Sequence, residues 1–157
     1  MKITADLTKR QLLVNGAVFS VSCRVRTVCD GTRGRDEVVR SIPDNLPYDP
    51  MPFPKGLWNI TGVERQEDKG FDRSVYGPVK IRTDARQKVN VWELDADGDY
   101  RKESERQIND AGYLLHYSAS GTTLGCIRLD SPADAETIAG VIQRLFEKGE
   151  AVQLEVV

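Results

Sequence analysis

The chain has 157 residues, 39% of them apolar, with 22 basic and 24 acidic side chains for a net charge of −2. That is one domain with enough chain to bury its own core, without a disulfide or metal staple. The balanced charge speaks against a nucleic-acid protein, and no apolar run approaches the roughly 18–20 residues of a membrane-spanning helix. Met1 to Asp6 opens directly with strand-like alternation and no apolar leader.

The N-terminal stretch reads as a hairpin. Ile3, Ala5 and Leu7 alternate, and Leu12 to Val14 and Val18 to Val21 flank the turn dipeptide Asn15-Gly16. From Asp30 to Pro54 the pattern dissolves into a long loop with Gly31, Gly34 and five prolines between Pro43 and Pro54. Gly56 to Val63 is the next strand, carrying Trp58. A charged connection leads to the strand Tyr76 to Ile81, and Val89 to Leu94 alternates cleanly through Trp92. Both tryptophans read as core rather than as substrate-stacking groups. Asp95, Asp97 and Asp99 resemble the start of a calcium loop. The glycine is at the fourth position, however, and Arg106 stands where the closing Glu belongs, so a hairpin turn at Asp97-Gly98 fits better.

Arg101 to Asp110 is polar throughout and reads as a solvated segment. An apolar run, Gly112 to Tyr117, precedes small residues from Ser118 to Thr123 and the strand-like Leu124 to Leu129. One helix follows: Ser131 as N-cap, Pro132 at N1, an apolar stripe of Ile138, Val141, Ile142, Leu145 and Phe146, and Gly149 as the stop. Ala151 to Val156 is a last strand. The organisation is a single domain over residues 1–157, mainly β, with one long helix in its C-terminal part.

The cysteines (Cys23, Cys29, Cys126) and the single histidine, His116, delimit the chemistry. They lack the tight local spacing of a zinc site, so no metal and no cofactor is expected. Cys23 and Cys29, with five residues between them, read as small residues of a reduced protein. A disulfide between them is the alternative and would leave Cys126 over. His116 lies ten residues before Cys126. An imidazole beside a thiol can take its proton and return one to a leaving amine. Neighbouring strands joined by the small-residue loop would set the two side by side, and Gly125 would let the N–H groups of Gly125 and Cys126 face an oxyanion. From the residues alone, a buried cysteine and an incidental histidine remain the alternative.

Leu115-His116-Tyr117, followed by Thr122-Thr123-Leu124-Gly125-Cys126-Ile127-Arg128-Leu129, resembles the active-site signature of the L,D-transpeptidase (YkuD-like) superfamily. The opening hairpin, Pro52 to Trp58, Gly77-Pro78 and the closing helix and strand match that family in the same order. The resemblance implies a mixed-sheet sandwich or open barrel capped by the helix. It implies Cys126 as nucleophile and His116 as base and then acid. The substrate implied is a peptidoglycan tetrapeptide stem. Arg128 would pair a substrate carboxylate, with an ion pair to Asp130 or to the helix as its structural alternative. Tyr117, Ser118 or a backbone carbonyl would orient His116, and Thr123 occupies the family's Ser/Thr position.

Two departures bear on activity. Only nine residues separate His116 from Cys126, and Leu124 replaces the second His of most members. Both features are similar to the compact effectors of type VI secretion, which act as L,D-carboxypeptidases and exchange D-amino acids. Trimming or exchange is therefore expected rather than 3-3 cross-linking. That subgroup implies synthesis in the cytoplasm without a signal peptide and action in the periplasm of a target cell. Secretion machinery and an immunity protein are the partners it implies. The alternatives are a phage-encoded lysin with the same dyad, or a non-enzymatic wall-binding or phage structural module on the same fold.

Overall fold

The computed structural model describes residues 1–25, 51–94 and 100–157, with side chains left aside for 92–106. The cores of the long loop and of the acidic turn, together with Cys29 and the Trp92 side chain, lie outside the described residues. So does the Cys23–Cys29 pairing.

The opening hairpin forms as its alternation requires. β1 (Lys2–Asp6) pairs with β2 (Gln11–Val14), and β2 pairs with β3 (Ala17–Ser22). Asn15 and Gly16 both take positive φ, 48° and 83°, the left-handed pair that a tight hairpin turn requires. β4 (Gly56–Arg65) is followed by two one-turn helices, α1 (Gln66–Lys69) and α2 (Arg73–Tyr76). β5 (Val79–Thr83), β6 (Gln87–Leu94), β7 (Tyr100–Asp110), β8 (Leu114–Tyr117) and β9 (Ile127–Leu129) come next. α3 (Pro132–Glu147) and β10 (Gln153–Val156) complete the chain.

Eight strands close into a barrel in the order β1-β10-β4-β5-β8-β9-β3-β2, while β6 and β7 form a separate two-stranded ribbon. The expected sandwich or open barrel is thus a closed one, in a mixed sheet: β1–β10 and β8–β9 run parallel. Closure depends on two strands that turn corners. β4 pairs with β10 through Gly56–Asn59 and with β5 from Ile60 on, with a register shift between Ile60 and Gly62. β3 pairs first with β2 and then, through Val21 and Ser22, with β9.

Ile3, Ala5, Leu12, Ile81, Leu115, Ile127, Leu129 and Leu154 fill the interior, every one fully buried. The helix follows its sequence signals. Ser131 accepts from the Asp134 N–H at 3.0 Å as N-cap. At the other end the N–H groups of Gly149 and Glu150 return to the carbonyls of Phe146 and Leu145, a Schellman closure with Gly149 at φ 75°. Its buried face is Ala135, Ile138, Ala139 and Ile142, while Val141, Leu145 and Phe146 are only partly covered.

Two segments differ from the sequence reading. Arg101 to Asp110, read as a polar segment with no strand assigned, is most of β7, paired antiparallel with β6. Tyr76 to Ile81 is not one strand: Asp72 caps α2 through the Ser74 N–H at 2.9 Å, and β5 starts only at Val79. Gly77 makes the break. At φ 67° it lies so close to Tyr117 that a Cβ would stand 2.9 Å from the Tyr117 Cβ.

Candidate active site

β8 and β9 are parallel neighbours, with Leu115 opposite Ile127 and His116 opposite Arg128. Leu115 and Ile127 face the core, which turns His116 to the outer face of the barrel. There α2 covers it: the Tyr76 ring lies 5.3 Å from the imidazole, and His116 is only 4% exposed. The carbonyl of Tyr117, 2.9 Å from Nδ1, fixes the ring. A carbonyl only accepts, so Nδ1 carries the proton and Nε2 carries the lone pair. Of the expected orienting groups, the backbone carbonyl holds the ring. Burial pushes His116 below its ordinary value, and the charges of Lys80 and Arg128 push the same way against the raising effect of the Tyr117 carbonyl. A neutral imidazole is the form a general base requires.

Cys126 ends the turn that precedes β9. It and His116 border one cavity of about 490 Å³. Ser74, Val75 and Tyr76 of α2 form one wall, and Ser118, Ser120 and Thr122 of the small-residue loop another. The Cys126 Sγ also lies 4.0 Å from the Gly112 carbonyl. The structure therefore brings the two expected catalytic residues to one cavity from the two ends of a single short loop.

Thr123 is buried and knots the turn. Its Oγ1 accepts from the Gly125 N–H at 3.3 Å and donates to the Cys126 carbonyl at 2.8 Å, while its own N–H donates to the Arg24 carbonyl. The Gly125 N–H, expected as an oxyanion donor, is thus engaged within the turn. What Gly125 supplies here is shape: φ is 110°, and a Cβ would stand 2.5 Å from the Met51 carbonyl and 2.8 Å from the Tyr113 ring. Ser118 borders the cavity and its Oγ accepts from the Ser120 N–H. Arg128 is tied elsewhere. Its Nε donates to the Ser118 carbonyl at 2.7 Å, its Nη1 meets Asp130 at 3.2 Å, and its guanidinium lies 5.5 Å from the Tyr117 ring. It is not among the residues bordering the cavity.

The catalytic-domain profile of the L,D-transpeptidases, YkuD, matches residues 2–153. The chain belongs to the YkuD family. It is a cell-wall enzyme of the L,D-transpeptidase type, and catalysis of that type depends on a cysteine. Comparison with curated proteins and with solved structures returned no match. Among the described residues, no three His, Cys, Asp or Glu side chains gather as a metal site would need. No described helix is long and apolar enough to cross a membrane.

Sequence reasoning missed three participants. Cys23 packs beneath the Thr123–Cys126 turn, accepting from the Phe53 N–H at 3.3 Å and lying 3.5 Å from the Gly125 carbonyl, and burial pushes its thiol up. Tyr113 lies against Gly125, its hydroxyl bonded to Asp110 and Gln87. Tyr76, read as a strand residue, is instead the ring over His116. Only the Gly77-Pro78 dipeptide, a helix stop and strand restart, hinted at the last.

Proposed function

We propose that this L,D-transpeptidase-type enzyme trims or exchanges the last residue of peptidoglycan tetrapeptide stems. The Cys126 Sγ attacks the carbonyl of the diaminopimelate residue as His116 Nε2 takes the thiol proton. The C–N bond to the terminal D-alanine then breaks, the leaving amine takes that proton from His116, and a thioester remains. Water releases the acid, or a free D-amino acid takes its place. In this reading the Cys126 N–H stabilises the oxyanion, while the Thr123 and Gly125 N–H groups hold the turn. Ser118 borders the cavity, the Tyr117 carbonyl holds the His116 ring, and Arg128 supplies positive charge next to His116 from its anchored position.

The observation that carries this reading is the convergence of His116 and Cys126 on one cavity, with the imidazole held neutral and its Nδ1 spoken for. The nine-residue separation and Leu124 favour trimming over cross-linking, and they favour delivery as an antibacterial type VI effector with a cognate immunity protein.

The test is mass spectrometry of purified tetrapeptide muropeptides incubated with the protein, with and without free D-amino acid. Tripeptide product or an exchanged terminal residue is expected, absent with Cys126→Ala. Accumulation of 3-3 dimers alone would overturn the trimming assignment, and equal turnover by Cys126→Ala would overturn the thiol mechanism.

A further inference from the structure

One row of side chains crosses four strands of the barrel in register. Glu64 on β4 stands opposite Lys80 on β5, Lys80 opposite His116 on β8, and His116 opposite Arg128 on β9. Directly opposed residues of neighbouring strands share a face, and across the antiparallel steps Glu64–Lys80 and Lys80–His116 the Cβ atoms are about 4.5–5.5 Å apart. His116 therefore sits between two cations, and the two are treated differently. The charge of Arg128 is answered by the Asp130 carboxylate. Lys80 has a carboxylate across the ladder in Glu64, but Arg82 takes it at 3.0 Å.

Instead, Lys80 is held by two rings. Its Nζ lies 3.8 Å from the centroid of Tyr76 and 4.3 Å from that of Phe71. Ring faces attract an ammonium without neutralising it. Among the described residues no carboxylate pairs with Lys80. The same Tyr76 ring packs on His116, and Phe71 braces it edge-on at 5.9 Å.

We propose that Lys80, caged by Phe71 and Tyr76, is a positioning residue for the base: its charge adds to burial in disfavouring a second cation at His116, and its cage holds Tyr76 on the imidazole. The inference rests on His116 being the base of the proposed reaction. The groups facing His116 are Lys80 from β5, Tyr76 from α2, Arg128 from β9, the Tyr117 carbonyl from β8 itself, and Cys126 across the cavity. Among the described residues facing it, only Lys80 and Arg128 carry fixed charge, and only Lys80 does so without an ion-pair partner. When His116 takes the proton of Cys126, the new cation forms beside an existing one. That makes His116 a stronger acid, and it passes the proton readily to the leaving amine.

His116 is the chain's one histidine, so its imidazole NMR signals need no assignment. Titration of the intact protein, of Lys80→Met and of Lys80→Arg reads the effect directly, and a parallel set in Cys126→Ala removes the thiol from the account. Lys80→Met is expected to move the His116 midpoint up by about half a pH unit or more, a part-exposed neighbouring charge being discounted for solvent. Lys80→Arg should stay with the parent. The acid limb of the turnover–pH profile should move with the midpoint. If Lys80→Met does not fold by circular dichroism, Lys80→Gln replaces it.

An unchanged midpoint in the charge-removing variant, or an equal rise in Lys80→Arg, overturns the proposal. Failure of the functional reading would show separately, as turnover that survives Cys126→Ala, and would leave the titration result standing.

Discussion

Replacing Gly125 by alanine tests the geometry of the nucleophile turn with a single methyl group. The residue adopts φ 110°, where an L side chain is strained, at a cost of about 1–3 kcal/mol. The added Cβ would meet the Met51 carbonyl at 2.5 Å and Tyr113 Cε1 at 2.8 Å. Neither partner yields easily. One is backbone, and the other belongs to a buried ring whose hydroxyl is bonded to Asp110 and Gln87. Relief by shifting packed atoms adds about 1–3 kcal/mol. A total near 3 kcal/mol corresponds to a fall in Tm of about 6–12 °C for a domain this size. Thermal unfolding followed by circular dichroism measures it. Turnover of tetrapeptide stems should fall further than stability does, because the clash displaces the residue joined to Cys126. Gly121→Ala, in the same connection, is the control: nothing lies within 4 Å of its Cβ position, and about ±0.5 kcal/mol is expected. A Gly125→Ala protein with parental Tm and turnover would refute the reasoning.

His116→Ala should slow acylation by about 10²–10⁴-fold, read as the burst of released D-alanine, and chelators should leave the parent enzyme's rate unchanged. Because burial and neighbouring cations hold the folded-state pKa of His116 below its ordinary 6.5, the unfolded chain takes up that proton first as pH falls. Stability should therefore be fully present above that value and decline as pH drops below it, towards the lowered folded-state value. Urea midpoints between pH 8 and pH 5 check this, and the decline specific to His116 should vanish in His116→Gln. Thr123→Val removes a hydroxyl that bridges Gly125 and Cys126, leaving a buried carbonyl and N–H to find new partners. A loss of about 1–3 kcal/mol is expected in urea unfolding. Arg128→Lys keeps the charge but not the fork that spans the Ser118 carbonyl and Asp130. A loss of about 1 kcal/mol with a raised KM is expected, and a raised KM at unchanged stability would mean that the guanidinium grips substrate directly.

Much of this architecture was legible in the chain where a local rule and the tertiary environment agree. Asn15-Gly16 sits in the left-handed region its hairpin needs, and Ser131, Pro132 and Gly149 bound α3 where capping chemistry puts them. His116 and Cys126 stood out because each is chemically scarce, and the Gly-Cys-Ile-Arg core brought the family with it. The polar strand β7 was illegible for a physical reason. It pairs with β6 in a two-stranded ribbon separate from the barrel, and Ile108 is the one aliphatic residue from Tyr100 to Asp110, too few to show a period. α2 was hidden because four residues are too few for a helical period. Cys23, Tyr113 and Lys80 matter through neighbours 102, 12 and 36 positions away along the chain (Gly125, Gly125 and His116), and such proximity exists only once the barrel closes. Arg128 was placed on the right strand, but its anchoring to the Ser118 carbonyl depends on where the loop returns.

The parallel neighbours β8 and β9 are joined by only nine residues, Ser118 to Cys126, where a parallel crossover ordinarily takes a dozen or more, usually with a helix. Seven of those nine residues are Ser, Ala, Gly or Thr. In the proposed mechanism the length of this tether matters as much as the thiol: the proposed base, His116, precedes it and the proposed nucleophile, Cys126, ends it, so an inserted residue slides one past the other. The enzyme should absorb many side-chain changes along this tether and very few changes in its length. Diversification of substrate preference in such a compact scaffold would then fall to the opposite wall, where α2 is exposed, short and free of that constraint.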